Sequence, residues 1–431
     1  MSSSSQSIFQ PDTDRCIFTI CTKSYIGLAN ALGASLHARG VAADYVIVIV
    51  DHNITDVSSP FGRLVPATEI CGYDTARWAE RAFKYDLVEL CTSIKARCFQ
   101  ALFEAGYDKV IYFDPDIIVF DDLHTVFTGL EDHDVVVTPH RLAYDSDMPA
   151  RGGVFNIGFL AARRSLASDR VLAWWDARLE NRSLSDPIRG FFTDQKWLDH
   201  LPVLLRDGRL MVSGHPGMNL APWNFGERTL DRRGEGWVVS LRGHEAEPKP
   251  LSFVHFSAFN YRMLAQGLVD PSTAEAVAQV PKFAEISEVL ASYLRQGRFL
   301  DYSSIPYEFS TFSDGRPILQ GHRRIFQRLQ ERGESLPEPF STQGLFYLIL
   351  QRSGLLARKS AGGTEKIRGK ELERKIDRAA SLLDSVSRLA LRMVGYPRFS
   401  QLSKLLVRYF HTNNHARLLQ YRGEKIDVEY F

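Results

Sequence analysis

Two aspartates one residue apart, Asp114 and Asp116, interrupt an apolar stretch that runs from residue 109 to residue 120. Burying carboxylates without partners is costly, so a divalent cation is the natural compensation. In an extended segment the side chains at i and i+2 point to the same side, so both carboxylates can converge on one hard ion. Such an ion can bridge to a diphosphate and neutralise it as a leaving group. The alternative is a polar Asp-Pro-Asp turn between two ordinary strands.

Alternating strand and helix patterns around this pair predict an α/β fold. Residues 15–20 and 45–50 are β-branched and aromatic runs, which is typical of strands in a parallel sheet covered on both faces, and residues 25–39 between them have helical spacing. A helix predicted over 86–105 and a strand over 109–113 repeat the unit. No G-x-G-x-x-G follows the first strand and no Walker lysine loop occurs, which argues against a dinucleotide enzyme and a P-loop ATPase.

Polar side chains at the ends of the first two predicted strands are candidates for holding a nucleotide base and ribose. They are Thr19, Thr22 and Asp51. Ligands of open α/β sheets bind beyond the carboxyl ends of the strands, where these residues are expected to lie. Asp51 as a plain helix or turn cap is the alternative.

Composition restricts the classes of protein that the chain can belong to. Its 431 residues include 45% hydrophobic residues, and 52 Lys and Arg are balanced by 51 Asp and Glu. This excludes a disordered or collagen-like chain, and the near-zero net charge predicts no nucleic-acid partner. Five cysteines without a C-x-x-C pair favour reduced thiols and a cytoplasmic location. We find no signal peptide pattern and no apolar stretch approaching ~20 residues, so a soluble or at most peripheral protein is expected.

Composition shifts along the chain predict five segments. Beyond about residue 260 the pattern turns helical, and the last segment has more basic than acidic residues, unlike the remainder. The predicted segments are a disordered N-terminus (1–14), a catalytic domain (15–265), a helical extension (266–350) with a long loop (303–318), a linker (351–370) and a basic helical tail (371–431).

Several segments occur in the order seen in one family of enzymes. The Asp114–Asp116 segment resembles the D-x-D motif of GT-A glycosyltransferases. Five other segments are similar to motifs of bacterial enzymes of glycosyltransferase family 8: FKYDLVELCTSIK (83–95), GGVFNIGF (152–159), TDQ (193–195), GMN (217–219) and FVHFS (253–257). The resemblance covers about residues 15–262. It implies a GT-A, Rossmann-like fold with a mixed, mostly parallel sheet flanked by helices, followed here by a helical C-terminal extension.

The resemblance also implies a metal site. Asp114, Asp116 and His255 would hold Mn²⁺ or Mg²⁺, and Asp114 would also face the donor. An imidazole combined with two carboxylates suits manganese. The alternative for His255, considered alone, is a hydrogen-bonded histidine of the core.

Further site residues follow from the other matched motifs. Lys95 would contact the sugar or diphosphate of the donor, and its alternative is a solvated charge on a polar helix face. Asn156 and Asn219 would bind the donor, since an amide can both donate to and accept from sugar hydroxyls. Asp194 and Gln195, with Lys95, would be the catalytic residues beside the reacting anomeric carbon. Asp194 as a helix N-cap is the competing interpretation.

The predicted function is that of a metal-dependent, retaining glycosyltransferase (EC 2.4). It would move a sugar from a nucleotide-sugar donor, UDP-linked by preference, to a hydroxyl of a glycan, lipid-linked or protein acceptor in bacterial surface polysaccharide or glycoconjugate synthesis. The alternatives are a sugar-nucleotide nucleotidyltransferase and an inactive glycan-binding module of the same fold. The basic C-terminal helices are candidates for self-association or for peripheral contact with the inner face of the membrane.

Overall fold

The computed structural model describes residues 11–143, 151–359, 384 and 386–419. Its strands are β1 (Arg15–Cys21), β2 (Asp44–Ile49), β3 (Arg63–Pro66), β4 (Lys109–Phe113), β5 (Ile117–Val119), β6 (Val135–Pro139), β7 (Phe155–Arg163), β8 (Leu184–Asp186), β9 (Phe191–Thr193), β10 (Leu210–Val212), β11 (Arg228–Arg233), β12 (Gly236–Leu241), β13 (Lys249–Pro250) and β14 (Phe253–His255).

The α-helices are α1 (Ile26–Ala38), α2 (Ala67–Cys71), α3 (Thr75–Lys84), α4 (Leu87–Ser93), α5 (Lys95–Glu104), α6 (His124–Asp132), α7 (Leu166–Arg182), α8 (Leu201–Leu204), α9 (Tyr261–Ala265), α10 (Pro271–Gln279), α11 (Phe283–Gln296), α12 (Phe299–Tyr302), α13 (Gln320–Glu331), α14 (Leu345–Arg352) and α15 (Tyr396–Tyr409). A further helical stretch covers residues 386–394. Short 3₁₀ helices lie at Lys23–Tyr25, Pro187–Arg189, Gln195–His200, Pro222–Glu227, Glu308–Ser310 and Thr412–Leu418.

A seven-stranded sheet with the order β10-β6-β7-β4-β1-β2-β3 forms the centre of the fold. β7 runs antiparallel to both of its neighbours, β4 and β6, while the other pairs are parallel. The expected α/β class, with a mixed, mostly parallel sheet flanked by helices, is therefore confirmed. β1 and β4 are almost completely buried, which is why their sequences are nearly continuous apolar runs.

Small antiparallel sheets accompany the large one. β5 pairs with β14, β8 with β9, and β11, β12 and β13 form a three-stranded sheet. The β5–β14 pair packs against the large sheet through three aromatic rings, Phe113, Phe159 and Phe253, whose centroids are 4.9–5.5 Å apart. This packing holds β14 beside the carboxyl end of β4.

The helix predicted over residues 86–105 is instead two helices, α4 and α5, with Ile94 as a turn between them. The hydroxyl groups of Thr92 and Ser93 donate to the carbonyls of Val88 and Leu90 within α4. Such bonds compete with the helical backbone pattern and favour a bend. The prediction of one continuous helix was wrong, and the break makes Lys95 the first residue of α5.

The segment before Asp194 is a strand rather than the start of a helix. β9 ends at Thr193, and a 3₁₀ helix follows over Gln195–His200. Thr193 has a φ of 49°, a left-handed conformation that is unusual for a β-branched residue and that separates the strand from the helix.

The chain divides into two units, residues 1–75 with 87–308 and residues 76–86 with 309–431. The first unit contains the seven-stranded sheet and extends beyond the residue 265 boundary expected from sequence. Its α11 continues the core through Phe283, Ile286, Leu290 and Leu294, which cluster with Val254 and Phe256 around β14.

The second unit has a core of its own. Phe83 lies among Phe312, Phe326 and Phe346, with ring centroids 4.8–5.8 Å apart. The guanidinium of Arg323 donates to the carbonyls of Ala82, Phe83 and Tyr85. Phe312, from the predicted loop 303–318, is thus a core residue.

Parts of four predicted segments lie outside the described residues. They are most of the N-terminus 1–14, residues 144–150 of the catalytic domain, the second half of the linker 351–370, and the two ends of the tail 371–431. Within the part of the chain that is described, we find no helix with the length and hydropathy needed to span a membrane.

Candidate functional site

Strand pairing brings His255 to the two aspartates. Asp114 follows β4, Asp116 precedes β5, and in the antiparallel β5–β14 pair His255 is the partner of Ile117. The His255 Nε2 lies 3.1 Å from Asp116 Oδ1 and 3.7 Å from Asp114 Oδ2. One ligand atom from each of the three residues lies within 4.8 Å of the others, which is a spacing that a single cation can bridge.

A turn, rather than an extended segment, makes the aspartates converge. The backbone N–H of Ile117 donates to the carbonyl of Asp114 at 3.1 Å, and the N–H of Asp114 donates to Gly158 in β7 at 2.7 Å. The extended conformation expected for Asp114–Asp116 was wrong, but the convergence expected from it is present. The Asp-Pro-Asp turn is therefore compatible with a metal site.

A hydrogen-bonded relay orients the His255 imidazole. Asn156 Oδ1 lies 3.2 Å from His255 Nδ1 and also accepts from Asn219 Nδ2 at 3.1 Å. Since this oxygen can only accept, Nδ1 carries a proton and Nε2 is the nitrogen that faces the carboxylates. Burial lowers the pKa of His255, but Asp116 and Asp114 outweigh burial and raise it. Metal binding needs the neutral ring with its proton on Nδ1, because the cation replaces any proton on Nε2. A histidine held in this tautomer is a preformed metal ligand.

His140, which sequence reasoning missed, completes the relay at its other end. Its Nδ1 donates to the carbonyl of Gly153 at 2.9 Å, so its Nε2 is an acceptor facing Asn156 Nδ2 at 3.4 Å. Burial lowers the pKa of His140 to about 4, so the ring is neutral near pH 7. His140 therefore fixes which way the Asn156 amide points. It is distant in sequence and lies in none of the matched motifs.

The two asparagines stand behind His255 as a buried pair. Asn219 also donates to Thr138 Oγ1 at 2.8 Å, and it adopts a φ of 58°, which asparagine tolerates better than most residues. Their amides orient the histidine, and their predicted role as donor-binding residues stays a prediction.

Lys95 is a buried cation between two carboxylates. Its Nζ lies 3.0 Å from Asp194 Oδ2 and 3.6 Å from Asp114 Oδ1, and it donates to the carbonyl of Ile157 at 2.9 Å. Burial opposes the charge, but the two carboxylates outweigh burial and raise the pKa of Lys95 above its usual value. With 2% of its surface exposed, Lys95 is not the solvated charge that was the alternative.

Asp194 and Gln195 lie together but make different contacts. The Asp194 carboxylate accepts from Thr193 Oγ1 at 3.0 Å and pairs with Lys95, and it makes no N-cap bond to the following 3₁₀ helix. Burial raises the pKa of Asp194, although Lys95 counteracts this. The Gln195 amide binds backbone on both sides, accepting from Ile157 N at 2.9 Å and donating to the Gly152 carbonyl at 2.6 Å.

Two tyrosines that the sequence reasoning missed hold the aspartates. Tyr112 donates to Asp114 Oδ1 at 2.5 Å, and Tyr261 Oη lies 2.9 Å from Asp116 Oδ2. Burial opposes ionisation of Asp116, but His255 and Tyr261 outweigh it and lower the pKa of this carboxyl. The i, i+2 spacing of Tyr112 and Asp114 was a signal available in the sequence.

The predicted nucleotide-binding residues lie at the ends of β1 and β2. Thr19 and Asp51 are buried, and in the described structure the Thr19 hydroxyl and Asp51 Oδ1 have no hydrogen-bond partner. Asp51 Oδ2 accepts from Lys23 N at 2.8 Å, so one oxygen also serves the cap role that was the alternative. Thr22 Oγ1 lies 2.8 Å from Ser24 Oγ. Two unsatisfied buried oxygens are unusual in a folded protein.

A glycine leaves room for the cluster. A Cβ atom at Gly158 would overlap Cε1 of His255 and lie 2.7 Å from Asp114 Oδ2.

We expect Gly158→Ala to weaken Mn²⁺ binding by about ten- to a hundredfold, because the methyl group displaces two ligands. Calorimetric titration of the protein with Mn²⁺ measures this. Gly214→Ala, whose Cβ has no atom within 4 Å, is the matched control. Unchanged affinity in Gly158→Ala would contradict a site at this position.

Comparisons with known proteins give weak similarities. No model of a protein family matches the chain. An uncharacterized protein of Bacillus subtilis (strain 168), YfnF, is 28% identical over 183 residues, which are 40% of this chain and 58% of YfnF. The chain thus spans less than two thirds of that relative.

Among solved structures, the galactosyltransferase LgtC in complex with donor and acceptor sugar analogs is 17% identical, with a TM-score of 0.37 over 68% of this chain and 98% of LgtC. The bifunctional glycosyltransferase WbbM is 14% identical, with a TM-score of 0.36 over 65% of this chain and 53% of WbbM. At these values the similarities do not by themselves assign a family or an activity.

Proposed function

We propose that the chain is a metal-dependent, retaining glycosyltransferase of the GT-A type. It transfers a sugar from a UDP-type nucleotide donor to a hydroxyl of a glycan or glycoconjugate acceptor. The observation that carries the proposal is the cluster of Asp114, Asp116 and His255 with the buried Lys95 beside it. The order of sequence motifs that resemble family 8 supports the same assignment.

The residues of the cluster fit a divalent cation. Two carboxylates and one imidazole nitrogen suit Mn²⁺. The relay through Asn156 turns Nε2 toward the carboxylates, and Gly158 keeps the space in front of the ligands clear. Bound there, the cation supplies positive charge that neutralises the diphosphate as the sugar departs.

Lys95 contributes a second, fixed positive charge beside the cluster. Its contacts with Asp114, Asp194 and the Ile157 carbonyl hold the ammonium in place before the reaction. A preorganised charge at the point where negative charge develops stabilises the transition state without reorganisation. Lys95 therefore favours loosening of the bond between the diphosphate and the anomeric carbon.

The contacts of Asp194 argue against a double displacement through this carboxylate. One carboxylate oxygen accepts from Thr193 and the other pairs with Lys95, so neither is a free nucleophile. We propose that Asp194 holds Lys95 and the donor sugar, and that the acceptor hydroxyl attacks directly. Attack from the face that the diphosphate leaves would retain the configuration of the anomeric carbon.

The base and ribose of the donor are proposed to lie at the ends of β1 and β2. The Thr19 hydroxyl can donate, and Asp51 Oδ1 can accept from a ribose hydroxyl or a base N–H. Both groups are buried and without partners in the described residues, so a ligand that satisfies them gains binding energy.

A thermal-shift panel of nucleotide sugars, each with and without Mn²⁺, tests the proposal. A ligand that binds only the folded state stabilises it by about 2.7 kcal/mol at a hundredfold excess over its Kd. We expect one UDP-sugar to raise the melting temperature, and to do so only with Mn²⁺ present.

Mass spectrometry of the products then separates the enzyme classes. Release of UDP with a retained anomeric configuration supports transfer, whereas release of pyrophosphate identifies a nucleotidyltransferase. Binding without any turnover identifies an inactive glycan-binding module.

A further inference from the structure

The C-terminal helices of the second unit present apolar side chains to solvent. None of the residues of α15 is buried. The exposed apolar side chains include Met393 (77%), Tyr396 (72%) and Phe410 (62%). Isolated exposed apolar residues are normal, but a contiguous set of this kind marks an interaction surface.

Seven of the exposed apolar side chains recur at helical spacing. Val386, Leu389 and Met393 are spaced i, i+3 and i+7 in the helical stretch 386–394. In α15 the exposed Leu402, Leu405, Leu406 and Tyr409 are spaced i, i+3, i+4 and i+7. Both spacings place the side chains on a continuous stripe of an α-helix. We refer to these seven residues as the C-terminal apolar stripe.

Basic residues accompany the stripe. Between residues 384 and 419 the sequence has a single acidic residue, Asp384, and the six basic residues Arg388, Arg392, Arg398, Lys404, Arg408 and Arg417. Within the described structure, the side chains of Arg388, Arg392, Arg398, Lys404 and Arg408 form no ion pair. Their charges are thus available to an anionic partner.

We propose that this surface docks on an anionic lipid bilayer. α15 lies in the plane of the interface, with the stripe inserted at the boundary of the acyl chains and the basic residues on lipid phosphates. Tyr396 and Tyr409 are aromatic residues of the type that is enriched at this depth. The 14 residues of α15 span about 21 Å at 1.5 Å per residue, and their arginines exclude crossing of the bilayer.

The positive charge of this surface favours an anionic bilayer over a second copy of the chain as its partner. Two copies packed through the stripe would bring together two stretches that each have six basic residues and one acidic residue between residues 384 and 419, and like charges in contact are unfavourable. An anionic surface instead attracts each basic residue and also buries the stripe. The inference is independent of the reaction proposed above.

Sedimentation of the full chain with lipid vesicles tests the proposal. We expect binding to vesicles of phosphatidylcholine mixed with phosphatidylglycerol, weak binding to phosphatidylcholine alone, and a loss of binding as salt is raised. Arg398→Gln combined with Arg408→Gln should reduce the partition coefficient on the order of twentyfold, since each basic residue contributes about fivefold. Leu405→Glu with Leu406→Glu should reduce it at least as much.

A matched control separates a local effect from the change in net charge. Arg170→Gln with Arg233→Gln removes two exposed charges from the first unit, and it should leave vesicle binding unchanged. All substituted side chains are already exposed, so folding should be retained, which circular dichroism checks.

Equal binding to neutral and anionic vesicles, or no binding to either, would overturn the proposal. So would reversible dimers that Leu405→Glu abolishes, because the stripe would then be a contact between copies. The donor-dependent thermal shift should be the same in every variant, so its failure would concern the proposed reaction only.

Discussion

Asp116→Asn is expected to reduce sugar transfer on the order of a hundred- to a thousandfold and to remove the Mn²⁺-dependent thermal shift. Asparagine keeps an oxygen that can accept from Tyr261, but it carries no charge. The cluster then has one carboxylate where two are needed to balance a divalent cation, and the stabilisation of the leaving diphosphate is lost with the cation. Initial rates over a series of Mn²⁺ concentrations measure the effect, together with calorimetric titration of the metal.

The control for this substitution is Asp122→Asn. Asp122 is a nearby exposed aspartate whose Oδ1 accepts from the N–H of His124 and which takes no part in the cluster. The same chemical change there should leave both rate and Mn²⁺ affinity unaltered. An Asp116→Asn protein with normal transfer and normal Mn²⁺ affinity would refute the metal site, whereas weak metal binding with full activity would refute only its role in the reaction.

Lys95→Met is the second substitution with a large expected effect. It should lower kcat about a hundred- to a thousandfold, because it removes the fixed positive charge beside the departing diphosphate. It also leaves the Asp194 carboxylate buried without its cation, which costs about 3–5 kcal/mol of folding stability. The rate and the melting temperature must therefore be measured on the same protein.

The double variant Lys95→Met with Asp194→Asn separates the two effects. Removing both charges leaves no unpaired buried ion, so most of the lost stability should return. We expect the rate to remain low, because the positive charge is still missing. If the rate recovers with the stability, Lys95 has only a structural role. Mn²⁺ affinity should stay close to that of the unsubstituted chain throughout, because Asp116, His255 and Asp114 are retained.

Local pattern predicted the first part of the sheet well. The strands predicted at 15–20, 45–50 and 109–113 correspond to β1, β2 and β4, because buried parallel strands need continuous apolar runs. The helix over 86–105 was predicted as one element because periodicity does not register the side-chain to backbone bonds of Thr92 and Ser93. Only the structure therefore showed that Lys95 begins a helix.

The sequence by itself determined the apolar strands, the pair of aspartates at the end of one of them and, through motif order, the residues grouped around that pair. Those features are local, so periodicity and residue type are enough to reveal them. The tertiary structure decided what no local pattern contains. The register of β5 on β14 places His255 beside Asp116, and the relay from His140 through Asn156 turns Nε2 toward the carboxylates. Contacts of this kind join residues up to 139 positions apart, and their geometry exists only once the sheet has formed.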